Sequence, residues 1–219
     1  MRFQNGLPVA INKITHGLHK LGSAKVFIMR VFITVLVLIF SFQSWTKADD
    51  IRDFQIEGMS IGDSLLSFVD KSEIEKNKKY NHVNKKYFDY FYSTKKNSKY
   101  DFFQFAIMDG DKNYIIVDIS AAIYFPNNIR GCLKKMDEVI EDISNSFTNL
   151  KKTEKKERKH RGDPSQKTII TEIYFNFNSG DVIAIQCIDF SKTLNYNDQL
   201  NIEMANSKYF DWMTDEAFK

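Results

Sequence analysis

Residues 129–150 read IRGCLKKMDEVIEDISNSFTNL, and their apolar positions decide the fold. Ile129, Leu133, Met136, Ile140, Ile143, Phe147 and Leu150 recur at alternating four- and three-residue steps, the spacing that lines one stripe of an α-helix. Asn127 or Asn128 can cap such a helix by accepting a backbone N–H from its first turn. Burying the stripe contributes roughly 10 to 15 kcal/mol before chain entropy is subtracted, so it must be covered. A coiled-coil partner is the rival cover, but the stripe lasts only about three heptads and strand-like segments flank it on both sides. The spacing predicts one long amphipathic helix packed on a sheet. Cys132 lies at the flank of the stripe.

On the C-terminal side, residues 151–166, KKTEKKERKHRGDPSQ, read as a charged loop ended by a Gly-Asp-Pro breaker. Ile169, Thr171, Ile173, Phe175 and Phe177 then take alternate positions of a strand, and Asn178-Ser179-Gly180-Asp181 turns the chain into a second strand over residues 182–190. Side chains alternate between sheet faces, so an odd-length loop, with Gly180 at positive φ, puts Ile183, Ile185 and Cys187 on the face of the phenylalanines. Residues 199–205 form a last strand and residues 209–218 a short closing helix anchored by Trp212.

On the N-terminal side, residues 87–93, 100–108 and 114–125 read as three antiparallel strands, the last two joined by Asp109-Gly110-Asp111-Lys112-Asn113. Earlier still, residues 50–57 alternate as a short strand or extended arm. Gly58 to Asp63 then turns into a helix capped by Asp63 or Ser64, with Leu65, Leu66, Phe68 and Val69 on its apolar side. A second short helix is expected over residues 72–79, with Glu73 and Glu75 early and lysines late. The expected fold is α+β: an antiparallel sheet covered by one long amphipathic helix, with short N- and C-terminal helices, in a single domain over residues 49–219.

The formal charge of the 219-residue chain is +3, but it is unevenly placed. Arg2, Lys13, Lys20, Lys25, Arg30 and Lys47 face no acidic residue before Asp49, so the remainder of the chain is net −3. A weakly acidic domain has no general attraction for phosphate backbones, so no nucleic-acid partner is expected. The basic end has its own pattern. Lys25 and Arg30 precede VFITVLVLIFSF, residues 31–42, which leads into Ser44-Trp45-Thr46-Lys47-Ala48. Basic, apolar and short polar regions in that order predict a signal peptide over residues 1–48, with Thr46 and Ala48 at the −3 and −1 positions of a cut before Asp49. Translation from Met29 would give the same signal in compact form. The apolar run is shorter than the roughly 20 residues of a spanning helix, so membrane attachment is expected only through an uncleaved leader. Export to a periplasmic or secreted location makes a Cys132–Cys187 disulfide reasonable. Two buried free thiols are the alternative.

Several fragments suggest chemistry. Gly62-Asp63-Ser64-Leu65 spells the opening block of the GDSL esterases and lipases, in which the serine is the nucleophile. The base that such a serine needs comes from a late Asp-x-x-His in that family, and the only histidines after the leader are His82 and His160. Asp109, Asp111 and Asn113 match the first ligand positions of a calcium loop, but Tyr114 replaces its sharp-turn glycine and Ser120 its bidentate glutamate. Arg161-Gly162-Asp163 resembles an adhesion tripeptide, and His160 sits among lysines in a charge run. Tyr87, Phe88, Tyr90, Phe91 and Tyr92, flanked by Lys85, Lys86, Lys95 and Lys96, could stack on bases or sugars, although strands use aromatics chiefly for packing. These fragments establish no catalytic, cofactor-binding or metal-binding residue.

FQIEGMSIGDSLL at residues 54–66, RGCLKKMDEVIEDIS at 130–144 and FNFNSGDVIAIQCIDFS at 175–191 together resemble a group of small uncharacterised exported proteins of Pelagibacter-like marine alphaproteobacteria. The resemblance covers most of the chain after the leader and implies a periplasmic α+β protein, with both cysteines inside the shared segments. Gly58-Met59-Ser60-Ile61-Gly62 also resembles the strand-to-helix opening of small outer-membrane assembly lipoproteins. The leading expectation is a non-catalytic binding or interaction domain for a periplasmic ligand or envelope protein. The alternatives are a serine esterase built on Ser64 and an accessory of envelope assembly.

Overall fold

The chain runs through strands β1 (Tyr87–Ser93), β2 (Phe102–Met108), β3 (Ile116–Tyr124), β4 (Lys151–Lys152), β5 (Lys156–Lys159), β6 (Ile169–Asn176), β7 (Val182–Asp189) and β8 (Gln199–Ala205), all but β4 and β5 rich in apolar residues. The computed structural model describes residues 50–93, 98–147 and 149–219. The expected leader lies outside the described residues. All eight strands join one antiparallel sheet in the order β1-β2-β3-β8-β7-β6-β4, with β5 also on the outer edge of β6. Three helices complete the α+β fold: α1 (Lys71–Asn77), α2 (Ile129–Ser146) and α3 (Ser207–Asp215). Among the described residues no helix is long and apolar enough to cross a membrane.

The register of the β6–β7 hairpin follows from its turn. Phe177 N–H donates to the Asp181 carbonyl and Gly180 N–H to the Phe177 carbonyl, leaving Asn178, Ser179 and Gly180 as the loop. Gly180 takes φ +89°, where a Cβ would be strained and would also press to 3.1 Å on Ser207. The odd loop pairs Phe175 with Ile183, Ile173 with Ile185 and Thr171 with Cys187, so all six point to one face. That face joins Ile119, Phe103, Phe105 and Ile202 in the main core.

Helix α2 packs across β7 and β8 on this face. Asn128 caps it, its side chain accepting from Gly131 N–H at 3.0 Å. The buried centre of α2 is Cys132, Met136 and Ile143, whereas Ile129, Leu133 and Ile140 are half-buried at its margins. The helix is thus turned from the stripe expected of it, and Cys132 lies at the middle rather than the flank. The cause is covalent: Cys132 and Cys187 form a disulfide, with Cα atoms 5.9 Å apart. Both cysteines are fully buried, so α2 is tied to the centre of β7. The helix ends at Ser146, with Phe147 as its C-cap and Leu150 beyond it.

Cover of the core is shared with the chain before β1. Ile51, Ile56, Ile61, Leu65 and Ile74 are buried against it. This segment departs from expectation. Residues 50–57 hold a 3-10 turn at Ile51–Asp53 in place of a strand, because Asp50 caps it by accepting from Arg52 N–H. The helix expected after Gly62 is one 3-10 turn, Leu65–Ser67, with no side-chain cap from Ser64. Asp63 instead accepts from Ser60 N–H at 2.8 Å, which closes the preceding turn. The expected loop over residues 151–166 contains β4 and β5, whose residues are all exposed. They pair with β6 through backbone hydrogen bonds and polar side chains such as Arg158 with Glu172, and bury no apolar residue, so no apolar alternation marks them.

The loop from β5 to β6 is held by Asp163. It is buried and accepts from Ser165 N–H, Ser165 Oγ, Thr168 N–H and Thr168 Oγ1 at 2.8 to 2.9 Å, while Thr168 Oγ1 in turn accepts from Ser191 N–H. Burial raises the Asp163 pKa, but the hydrogen bonds from Ser165 and Thr168 outweigh it and hold the carboxyl well below the usual range.

Two outcomes follow. The disulfide closes a 55-residue separation, so replacing both cysteines by alanine should lower stability by about 4 kcal/mol, or the Tm by roughly 10 °C, in a calorimetric melt. A depressed carboxyl pKa stabilises the fold above the unfolded value and ceases to do so as pH falls through the folded one. Asp163→Asn should therefore lower the Tm at neutral pH, and its gap from the wild type should close as the pH drops below about 4.

Candidate functional site

The fragments singled out in the sequence are dispersed. Ser64 Oγ donates to the Asn113 carbonyl at 2.6 Å, so its proton is held by a backbone oxygen rather than by a base. Asp111 accepts from the backbone N–H groups of Asn113 and Ile115, and Asp109 from Tyr80 OH, which makes their loop a closed hairpin turn. Tyr114 itself adopts φ +52° there and buries its ring in the core. Asp163 is buried, so Arg161-Gly162-Asp163 does not present its carboxylate to a partner. Tyr87, Phe88 and Tyr90 are buried packing residues, while Phe91 is partly exposed and stacks on Phe102 at 5.7 Å. His82 lies edge-on between Trp212 and Phe218, at 5.2 Å from each ring. Among the described residues, no group of three or more His, Cys, Asp or Glu could hold a metal ion.

What the fold does bring together lies on the sheet face opposite α2. Helix α3 covers part of that face: Tyr209 and Trp212 pack with Tyr87, Ala106 and Ala205. The two small alanines permit this close approach. The helix start is fixed twice, by Asn206 accepting from Tyr209 N–H and by Asp181 of the β6–β7 turn accepting from Ser207 N–H, both at 2.8 Å. Beside α3 the sheet stays open. A cavity of about 970 Å³ lies there, floored by β6, β7 and β8, walled by α3 and rimmed by β5 and the loop that Asp163 holds.

Its floor follows from register. Tyr174, Ala184 and Glu203 stand side by side across the three strands, and Glu172 and Gln186 form the next row. Ala184 provides the hollow between larger neighbours. Ile170, Ile188, Phe210 and Met213 make most of the remaining lining apolar. Glu172 is fully engaged: Arg158 Nε donates to both its oxygens at 3.0 and 2.9 Å, and Tyr174 OH and Gln186 Nε2 also donate to it. Burial, then the Glu172 charge, pushes the Tyr174 phenol up to about 12.

Glu203 has a different environment. It opens onto the cavity, and its neighbour is Asp118, which lies on β3 opposite Ala205 and is 2% exposed. Asp118 Oδ1 is buried without a hydrogen-bond partner. Burial raises the pKa of both acids, Asp118 well above the usual range, with the Glu203 and Asp89 charges adding to it. Two adjoining carboxyls removed from water disfavour each other's ionisation, so the pair holds its protons more tightly than ordinary carboxyls do. The same surroundings raise the Tyr209 phenol, first through burial and then through Asp118.

Asp118, Glu172 and Glu203 were not among the residues singled out in the sequence. Their signal is a single acid at the middle of an otherwise apolar strand, in IVDISAAIY, IITEIYFN and QLNIEMA. No protein-family model matches this chain, and no curated protein or solved structure matches it.

Proposed function

We propose that this chain is an exported, non-catalytic binding domain whose ligand occupies the cavity between α3, β5 and the open face of β6, β7 and β8. The carrying observation is the cavity itself: about 970 Å³, mostly apolar, with a few polar groups converging on its floor. That combination is the usual form of a small-molecule site, since apolar walls supply affinity and placed polar groups supply orientation. The basic-apolar leader and the buried Cys132–Cys187 bridge support an oxidising compartment, the periplasm. The resemblance to exported marine alphaproteobacterial proteins favours the same location. Ser64, held by a backbone carbonyl and remote from the cavity lining, has no part in this reading.

Titration with the neutral apolar dye N-phenyl-1-naphthylamine should give saturable, one-to-one fluorescence enhancement. Ala184→Phe fills the hollow between Tyr174 and Glu203 and should abolish the enhancement while far-UV circular dichroism and the Tm stay near wild type. Undiminished dye binding in that folded variant would remove the cavity from consideration. With nitrophenyl ester substrates, the full chain and Ser64→Ala should both hydrolyse at the background rate; a serine-dependent loss would favour the esterase instead.

A further inference from the structure

We propose that the cavity selects a cationic amphiphile, with an ammonium or amidinium head against Glu203 and an apolar body along Phe210 and Met213. This inference rests on the cavity being the binding site and adds the chemical class of its ligand.

Glu172, the other floor carboxylate, is answered by a guanidinium and two further donors. Among the described residues Glu203 lines the cavity with no guanidinium or ammonium bonded to it, and its hydrogen-bonding neighbour is another acid, Asp118, buried behind the lining. A carboxylate against apolar walls and another acid is unfavourable, and a cationic donor entering the cavity relieves it at Glu203. Acids alone do not make a site. Here the carboxylate of Glu203 lines a mostly apolar cavity with room for a ligand's body.

The opposite orientation fails on the same residues. An anionic head at the rim, beside His160 and Arg161, would push its apolar tail onto Glu172, Gln186 and Glu203, desolvating them without pairing. A head-inward cation places charge on charge and methylene on methylene. The ionisable groups that bear on the pair are acids, apart from Arg158, whose charge lowers the Glu203 pKa. Asp118 from β3, Asp89 from β1 and Glu172 from β6 all bear on the pair, and Arg158 on β5 is taken by Glu172. Tyr209 from α3 and Tyr174 from β6 stay neutral phenols, since burial raises both. The cation pairs with Glu203 as its carboxylate, so a proton carried by Glu203 leaves to solvent on binding, while Asp118, behind the lining, keeps its own. Binding of the cation therefore strengthens as pH rises through the titration of the pair, up to the pH at which the amine loses its own proton.

The test displaces the dye from the full chain with octylammonium chloride, octanol and sodium octanoate, three heads on one chain length. Octylammonium should compete about ten- to a hundredfold more tightly than octanol, the worth of a charge-assisted hydrogen bond in a half-buried setting, and octanoate more weakly than either. Glu203→Gln should erase that ranking. Calorimetry of wild type in two buffers of different ionisation enthalpy should show protons released on octylammonium binding, a readout that needs no folded variant. If octanol or octanoate competes as well as octylammonium, the cationic class is overturned while the cavity stands. Should none of the three displace the dye, the binding site itself is wrong and this inference falls with it.

Discussion

The three-residue turn at Asn178, Ser179 and Gly180 sets the alternation on which the rest of the molecule depends. Its odd length places Ile183, Ile185 and Cys187 beneath α2 and leaves Val182, Ala184, Gln186 and Ile188 on the other face. A slip of one residue would exchange those sets, turn Cys187 away from Cys132 and set Gln186 in the main core. The same turn acts at longer range. Asp181 accepts from Ser207 N–H, so the residue that follows Gly180 also fixes where α3 begins. Register, disulfide and cavity wall are consequences of one local conformation.

The two faces of the sheet then serve different ends. The α2 face is continuously apolar and is locked by a disulfide at its centre. The α3 face carries Asp89, Asp118, Glu172 and Glu203 within the sheet, where packing alone would favour apolar side chains. Asp89 is answered by Asn81 and Gln104, and Glu172 by Arg158, Tyr174 and Gln186. Among the described residues Asp118 and Glu203 adjoin each other, and burial raises the pKa of both. A pair of adjoining acids within the sheet weakens the fold on its own account, a cost that the proposed binding role would explain.

Much of this was legible in the chain. Aromatic and apolar runs marked β1, β2 and β3, alternation marked β6, the turn chemistry after it marked β7, and Asn128, Gly180 and Trp212 fill the roles expected of a cap, a left-handed turn residue and an anchor. Features without an apolar signal were not legible. β4 and β5 consist of exposed charged residues and form because β6 offers an unpaired backbone edge. The rotation of α2 about its stripe is imposed by a bond to a residue 55 positions away. The cavity was hidden for a topological reason. β8 inserts between β3 and β7, which brings Asp118 beside Glu203 although the two lie far apart in sequence. Each mid-strand acid is visible by itself, but their convergence depends on strand order.

The central claim, that the open half of the α3 face is where a ligand sits, is tested most directly by mapping NMR chemical-shift changes while octylammonium is titrated into the isotope-labelled full chain. The account predicts shifts concentrated on Ala184, Gln186, Glu203, Phe210 and Met213, with the α2 face unmoved. Shifts confined to exposed aromatics such as Phe91 and Tyr124, or spread over the surface without a focus, would contradict it.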